Sequence, residues 1–200
     1  MLDPFYPVVP DSHWVRRLVA AGARLIQLRI KDQPIADIHR QVREAKTICA
    51  EAGAQLIVND YWQVAIDEDC DFVHLGQEDL LQADIAALRG AGIRIGVSTH
   101  DHAELEKGLA IDPDYVALGP IYPTQLKQMP WAPQGTARLG EWKKLIDGRP
   151  LVAIGGLTVE RARLCLAAGA DSAAVVGDIV NHRDPIGQTK IWIAATRGAS

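Results

Sequence analysis

Short apolar runs rich in Val, Ile, Leu and Tyr recur along this chain, separated by longer stretches in which apolar residues return at helical spacing. The runs centre on Tyr6 to Val9, Leu25 to Ile30, Leu56 to Val58, Phe72 to Leu75, Ile93 to Val97, Tyr115 to Leu118, Leu151 to Ile154 and Ala173 to Val176. Continuous apolar runs of this kind predict strands buried on both faces, as in a parallel sheet. The clearest helix spans Ile35 to Ala52, where Ile38, Val42, Ala45 and Cys49 are spaced to form one buried face. Asp84 and Thr158 are placed to cap the starts of other helices.

Four junctions share one design: AAGARLIQLRIKD, EAGAQLIVND, GAGIRIGVSTH and AAGADSAAVVGD. In each, a helix end passes through a glycine (Gly22, Gly53, Gly92 or Gly169) into an apolar run that stops at polar residues. A left-handed glycine ends a helix without a Cβ penalty and turns the chain into the next strand. Strands alternating with helices in this way predict a (β/α)8 TIM barrel, a single compact α/β domain over residues 1–200. An open doubly wound sheet, which usually has fewer strands, is the competing architecture. A barrel keeps its chemistry at the C-terminal ends of its strands, so the residues following each run are the ones to read. The Pro-rich segment Ile121 to Ala137, after the sixth run, is too long for a simple connection and is the candidate active-site loop.

Composition narrows the field. A chain of 200 residues that is 48% hydrophobic can form one sizeable core. A net charge of −4 with no Lys/Arg block gives no electrostatic footprint for nucleic acid or an anionic membrane, so an anionic ligand must be held by local groups. The start MLDPFYPVV has neither the basic nor the long apolar segment of a signal or spanning helix, which points to the cytoplasm. Cys49, Cys70 and Cys165 are isolated and odd in number, the pattern of buried free thiols. Of the five tryptophans, Trp14, Trp62, Trp142 and Trp192 suit core packing or a homo-oligomer interface, and Trp131 sits in the long loop where it could cover a ring.

In the second run Gln27, Arg29 and Lys31 alternate with Leu28 and Ile30, so period two places the three polar side chains on one face. In a barrel that face is the interior, and Arg and Lys at its mouth suit phosphate oxygens. The third run ends in Asn59 and Asp60 and the fourth in HLGQED, which contains His74 and Asp79. Two carboxylates at neighbouring strand ends can share Mg2+ with substrate phosphates; capping the next helices is their other common use. His74, short of the strand end, reads as a barrel-lining residue. The fifth run ends in Ser98, Thr99, His100 and His102, the sixth leads to Thr124 and Lys127, and the last two end in Gly155-Gly156 and Val176-Gly177. Backbone N–H groups after strands seven and eight are a frequent phosphate cradle in barrels.

The ordered series QLRIKD, LIVND, VHLGQEDL, GVSTH, GPIYPTQLK and VAIGGL resembles the thiamine-phosphate synthase family over nearly the whole chain. The resemblance implies a Mg2+-dependent transferase that condenses hydroxymethylpyrimidine pyrophosphate with hydroxyethylthiazole phosphate to give thiamine phosphate and pyrophosphate. It implies that Gln27, Arg29, Lys31, Asn59, Ser98 and Lys127 bind the pyrimidine pyrophosphate. Asp60 and Asp79 would hold the metal, and Thr124, Gly156, Val176 and Gly177 the thiazole phosphate. Arg29, Lys31 and Lys127 would carry catalysis by neutralising the departing pyrophosphate, in a dissociative reaction through a pyrimidine methylene cation.

Three positions depart from the family pattern: Ile30 replaces a Glu, Leu126 a Thr and Gly177 a Ser. Residue 30 alternates away from the interior, whereas the other two remove donors from the thiazole phosphate site. Two other readings follow from the same residues. A related branch of the barrel acts as a thiazole tautomerase with a histidine acid/base, a role open to His100. A non-catalytic paralogue would bind thiazole phosphate or thiamine phosphate without turnover.

Overall fold

The computed structural model describes residues 2–124 and 131–198. Eight parallel strands close into a barrel in sequence order, with β1 paired to both β2 and β8. The elements are β1 (Phe5–Val9), α1 (Ser12–Ala20), β2 (Leu25–Leu28), α2 (Ile35–Ala52), β3 (Gln55–Asn59), α3 (Trp62–Asp67), β4 (Phe72–Leu75), α4 (Gln77–Gln82) and α5 (Ile85–Gly90). They continue with β5 (Arg94–Thr99), α6 (His102–Leu109), β6 (Tyr115–Leu118), α7 (Ala137–Leu145), β7 (Leu151–Ile154), α8 (Val159–Ala167), β8 (Ser172–Val175), α9 (Gly177–Val180) and α10 (Pro185–Arg197). The closed barrel excludes the open sheet. No described helix is long and apolar enough to cross a membrane.

Local chemistry explains the elements. The glycines at the four junctions all have positive φ, and the Gly53 N–H closes α2 by donating to the Ala50 and Cys49 carbonyls. Asp84 accepts from the Ala87 N–H and Thr158 from the Arg161 N–H, so both cap as their positions predict. Strand limits differ slightly from the apolar runs. β2 ends at Leu28 rather than Ile30, although the Arg29 N–H still donates to the Val9 carbonyl at 2.8 Å. The fourth strand is followed by two short helices rather than one, and α9 is an additional turn after β8.

Period two divides the buried residues into two regions. Tyr6, Val8, Leu25, Ile57, Phe72, Tyr115, Ala117, Val152 and Ala174 fill the barrel interior. Their strand neighbours, such as Ile26, Leu28, Ile30, Val58, Val73 and Leu75, pack outward with the helices. Cys49, Cys70 and Cys165 are buried free thiols in that outer layer, and burial pushes each thiol pKa up, to about 12, 11 and 12 respectively. Trp142 and Trp192 are fully buried, while Trp14 and Trp62 pack partly buried against the same layer.

The Trp142 indole N–H donates to Thr99 Oγ1 at 2.9 Å, and Thr99 Oγ1 in turn donates to the Ala117 carbonyl. Thr99→Val keeps the shape and leaves the buried Trp142 indole N–H without its acceptor. A buried polar group left unpaired costs about 1–3 kcal/mol, so the expected fall in Tm is roughly 3–10 °C for a domain of this size. Thermal denaturation checks it, and an unchanged melting curve would mean that the pair contributes nothing.

Candidate active site

Inward parity carries β2, β3, β4 and β5 side chains toward one mouth of the barrel. Gln27 shares the parity of Leu25, Asn59 that of Ile57, His74 that of Phe72 and Ser98 that of Gly96. Gln27, Asn59 and His74 are buried, whereas Ser98 is half-buried. Gln27 Nε2 donates to the Tyr6 hydroxyl at 2.8 Å. His74 lines the barrel as its position before the strand end predicts, with Nδ1 2.6 Å from the Tyr115 hydroxyl and Nε2 2.7 Å from Ser98 Oγ. Burial lowers the His74 pKa to about 4, so its ring is neutral at ordinary pH. Asn59 Nδ2 is buried and has no hydrogen-bond partner among the described residues. A native fold rarely wastes such a donor, so this amide points to a ligand.

Above this layer lies a charged one. Lys31 Nζ donates to Asp60 Oδ2 at 2.9 Å. Asp60 has φ of 65°, and its backbone N–H donates to the His74 carbonyl. Neither Asp60 nor Asp79 is a side-chain helix cap: α3 starts after Tyr61 with no side-chain cap bond, and Asp79 lies inside the first turn of α4. Burial raises the Asp79 pKa first, and the adjacent Asp60 carboxylate raises it further, while Lys31 opposes both. Two carboxylates this close repel, and a proton or a hard cation would offset what the single Lys31 ammonium leaves uncompensated. The Arg29 side chain is exposed, and its guanidinium forms no hydrogen bond or ion pair to another described residue, leaving those donors open to an anion. Ile30 is buried in the outer layer, as alternation predicts.

On the far side of the mouth, Gly155 and Gly156 have φ of 100° and 65°. The Tyr122 N–H donates to the Gly155 carbonyl, and Arg161 Nη1 donates to the Gly156 carbonyl at 2.6 Å while its guanidinium lies 4.6 Å from the Tyr122 ring centre. This brace lays the start of the long loop, including half-buried Thr124, beside the turn after β7. Val176 precedes α9 and Gly177 opens it; Asp178 accepts from Trp192 Nε1 and Gln188 Nε2, tying α9 to α10. Arg161 carries no motif in the sequence, and only its helical register after Thr158 could have indicated that it reaches back to the turn. Lys127 and Leu126 lie outside the described residues.

The histidines of the fifth loop have other occupations. His100 Nδ1 is 2.6 Å from Glu104 Oε2, and its ring stacks on Trp131 with centroids 4.2 Å apart. His102 lies on the surface between Glu141 and Arg138. At the opposite end of the barrel, a cleft around Arg89, Asp112, Asp114 and Arg149 is internally neutralised by the Arg89–Asp114 and Arg149–Asp112 ion pairs. Arg89 sits in the last turn of α5 and the other three in helix-to-strand turns, on the face that serves stability in this architecture.

Residues 6–179 match the family described as thiamine monophosphate synthase. The chain belongs to that family. It is 59% identical to the thiamine-phosphate synthase of Rhizobium etli over 98% of this chain and 96% of the relative. It is 48% identical to that of Cronobacter sakazakii, over 92% and 88% of the two chains. The solved thiamine phosphate pyrophosphorylase of Pyrococcus furiosus superposes with a TM-score of 0.87 at 26% identity, covering 99% of this chain and 96% of that one. As a member of the thiamine monophosphate synthase family the protein is an enzyme, a transferase of thiamine biosynthesis acting on small molecules, built on the TIM barrel.

Proposed function

We propose that this enzyme joins hydroxymethylpyrimidine pyrophosphate to hydroxyethylthiazole phosphate, forming thiamine phosphate and releasing pyrophosphate. The orphaned Asn59 amide, buried beside Gln27 and His74 at the floor of a basic and acidic mouth, is the observation that carries this reading. A neutral heterocycle needs such fixed donors and acceptors on its edge, and a pyrophosphate needs the cations above them. The donor set at Asp60 and Asp79 fits Mg2+: two adjacent hard carboxylates, with the remaining positions left to phosphate oxygens and water. When bound, Mg2+ would supply positive charge to the pyrophosphate oxygens.

Within this reading Gln27, Asn59 and Ser98 orient the pyrimidine pyrophosphate. Arg29, Lys31 and Lys127 bind its phosphates and stabilise the charge that develops as the carbon–oxygen bond breaks. Thr124 and the backbone N–H groups around Gly156, Val176 and Gly177 hold the thiazole phosphate so that its ring nitrogen faces the resulting methylene cation. The new carbon–nitrogen bond then forms without a general base. Holding Lys31 on Asp60 keeps its ammonium at the mouth before substrate arrives. The adjacent Asp60 and Asp79 carboxylates with Lys31 beside them, which a proton shift on thiazole phosphate does not need, weigh against the tautomerase reading.

The deciding experiment is formation of thiamine phosphate and pyrophosphate from the two purified substrates, with Mg2+ and with a chelator. Metal-dependent product is expected. No product, with thiazole phosphate still bound, would replace this reading by the tautomerase or the binding paralogue. Asn59→Ala is expected to raise KM for the pyrimidine substrate about tenfold, the value of one lost hydrogen bond to a desolvated ligand. Because it deletes a donor with no partner among the described residues, Tm should stay within a few degrees; a large fall in Tm with unchanged KM would make the residue structural.

A further inference from the structure

A line of side-chain hydrogen bonds crosses the barrel interior and ends at the mouth. Gln27 Nε2 lies 2.8 Å from Tyr6 Oη, Tyr6 Oη 2.9 Å from Tyr115 Oη, Tyr115 Oη 2.6 Å from His74 Nδ1, and His74 Nε2 2.7 Å from Ser98 Oγ. All but Ser98 are buried. The interior is shaped around this line: Tyr115 stacks on His74, with ring centroids 5.6 Å apart, and a Cβ on Gly96 would overlap the Tyr115 ring.

Counting protons gives the line a direction. An amide nitrogen only donates, so the Tyr6 oxygen accepts from Gln27. Among the described residues the Tyr6 hydroxyl proton then has one acceptor, Tyr115. The Tyr115 proton passes to His74 Nδ1, the neutral ring keeps its proton on Nε2, and that N–H donates to Ser98 Oγ. The Ser98 proton is thereby kept off His74 and is free to point into the mouth. The opposite order would leave the buried Tyr6 O–H without an acceptor.

We propose that Tyr115 is a positioning residue for the transfer reaction: acting through His74, it holds the Ser98 hydroxyl as a hydrogen-bond donor to the pyrimidine pyrophosphate. The inference rests on the reaction proposed above. It has a chemical reason, because ionised phosphate oxygens only accept, so a serine whose proton was spent on His74 would present them with lone pairs alone.

The first test needs no variant. Long-range 1H–15N spectra of the full-length protein, with His74 assigned by its loss in His74→Asn, report which ring nitrogen carries the proton. The Nε2–H tautomer is expected; the Nδ1–H tautomer, which a Gln27 amide turned the other way would impose, overturns the proposal. Tyr115→Phe keeps the ring and removes the hydroxyl. It should mix the tautomers and lower kcat/KM for the pyrimidine substrate about tenfold, with KM for thiazole phosphate unchanged. In a Ser98→Ala background the same substitution should cost less than about twofold, since no hydroxyl remains to be oriented. A full tenfold loss there would show that Tyr115 acts by another route. The Nδ1–H tautomer in an active enzyme sinks the relay alone, whereas the Nε2–H tautomer in a protein that makes no thiamine phosphate sinks the reaction and the positioning role together.

Discussion

Asp79→Asn is expected to lower the rate of thiamine phosphate formation by roughly 10²–10³ while leaving the barrel folded. Asp79 is half-buried in the first turn of α4, a helix that buries none of its residues, and shares its surroundings with Asp60. The protein without ligand therefore holds a repulsive pair. A carboxyl whose folded pKa lies above its unfolded value destabilises the fold once pH exceeds the unfolded value, because the charged form is the one the fold disfavours. Removing the charge should leave Tm at neutral pH no lower than that of the parent. Adding Mg2+ should raise Tm of the parent, since the ion binds only the folded arrangement of the two acids, and this rise should vanish in the variant. Two readings thus separate: a structural Asp79 would cost Tm, and a metal-holding one costs activity and the Mg2+ response. An Asp79→Asn protein with full activity, or with the parent's Mg2+ shift, would overturn the assignment of the metal pair.

The barrel was legible because its signals are periodic and local. Ile35–Ala52 matches the helical spacing residue for residue, long enough for one buried face to dominate. Period two placed Gln27 on the inward face and Ile30 on the outward one, since parity in a strand survives small errors in its ends. Short elements were hidden. α4 buries none of its residues, so QEDLLQ carries no amphipathic pattern to read, and α9 is a single turn. The interior wiring was hidden for another reason. Tyr6 and Tyr115 are 109 positions apart, and each reads in isolation as one more apolar strand residue; only barrel closure brings their hydroxyls to 2.9 Å. Likewise capping was open to Asp60 and Asp79 from sequence, and what excludes it is where the helices start, after Tyr61 and Gly76, a boundary that no spacing rule foretells.

Gly156→Ala is expected to damage the thiazole phosphate half of the site selectively. The residue has φ of 65°, a region that L side chains seldom adopt, and a Cβ there would lie 2.9 Å from the Tyr122 carbonyl oxygen and closer still to that of Pro123. Both obstacles are backbone, so neither can rotate aside as a side chain would. Strain and overpacking together should cost about 3 kcal/mol, or roughly 6–12 °C in Tm. The chain can recover part of this by lifting the segment that leads to Thr124 off the β7 turn, breaking the Tyr122 N–H bond to Gly155 and the Arg161 brace. That relaxation separates Thr124 from the amides around Gly156 while Gln27, Asn59 and Asp79, on other strands, stay in place. Steady-state kinetics should show KM for thiazole phosphate raised about tenfold or more and KM for the pyrimidine substrate changed less than about threefold. Arg161→Ala, which removes the brace without adding an atom, should give the same bias in weaker form. If either variant instead raised mainly the pyrimidine KM, the two substrates would have to exchange places in the mouth, and the β7 turn would be the pyrophosphate side of the site.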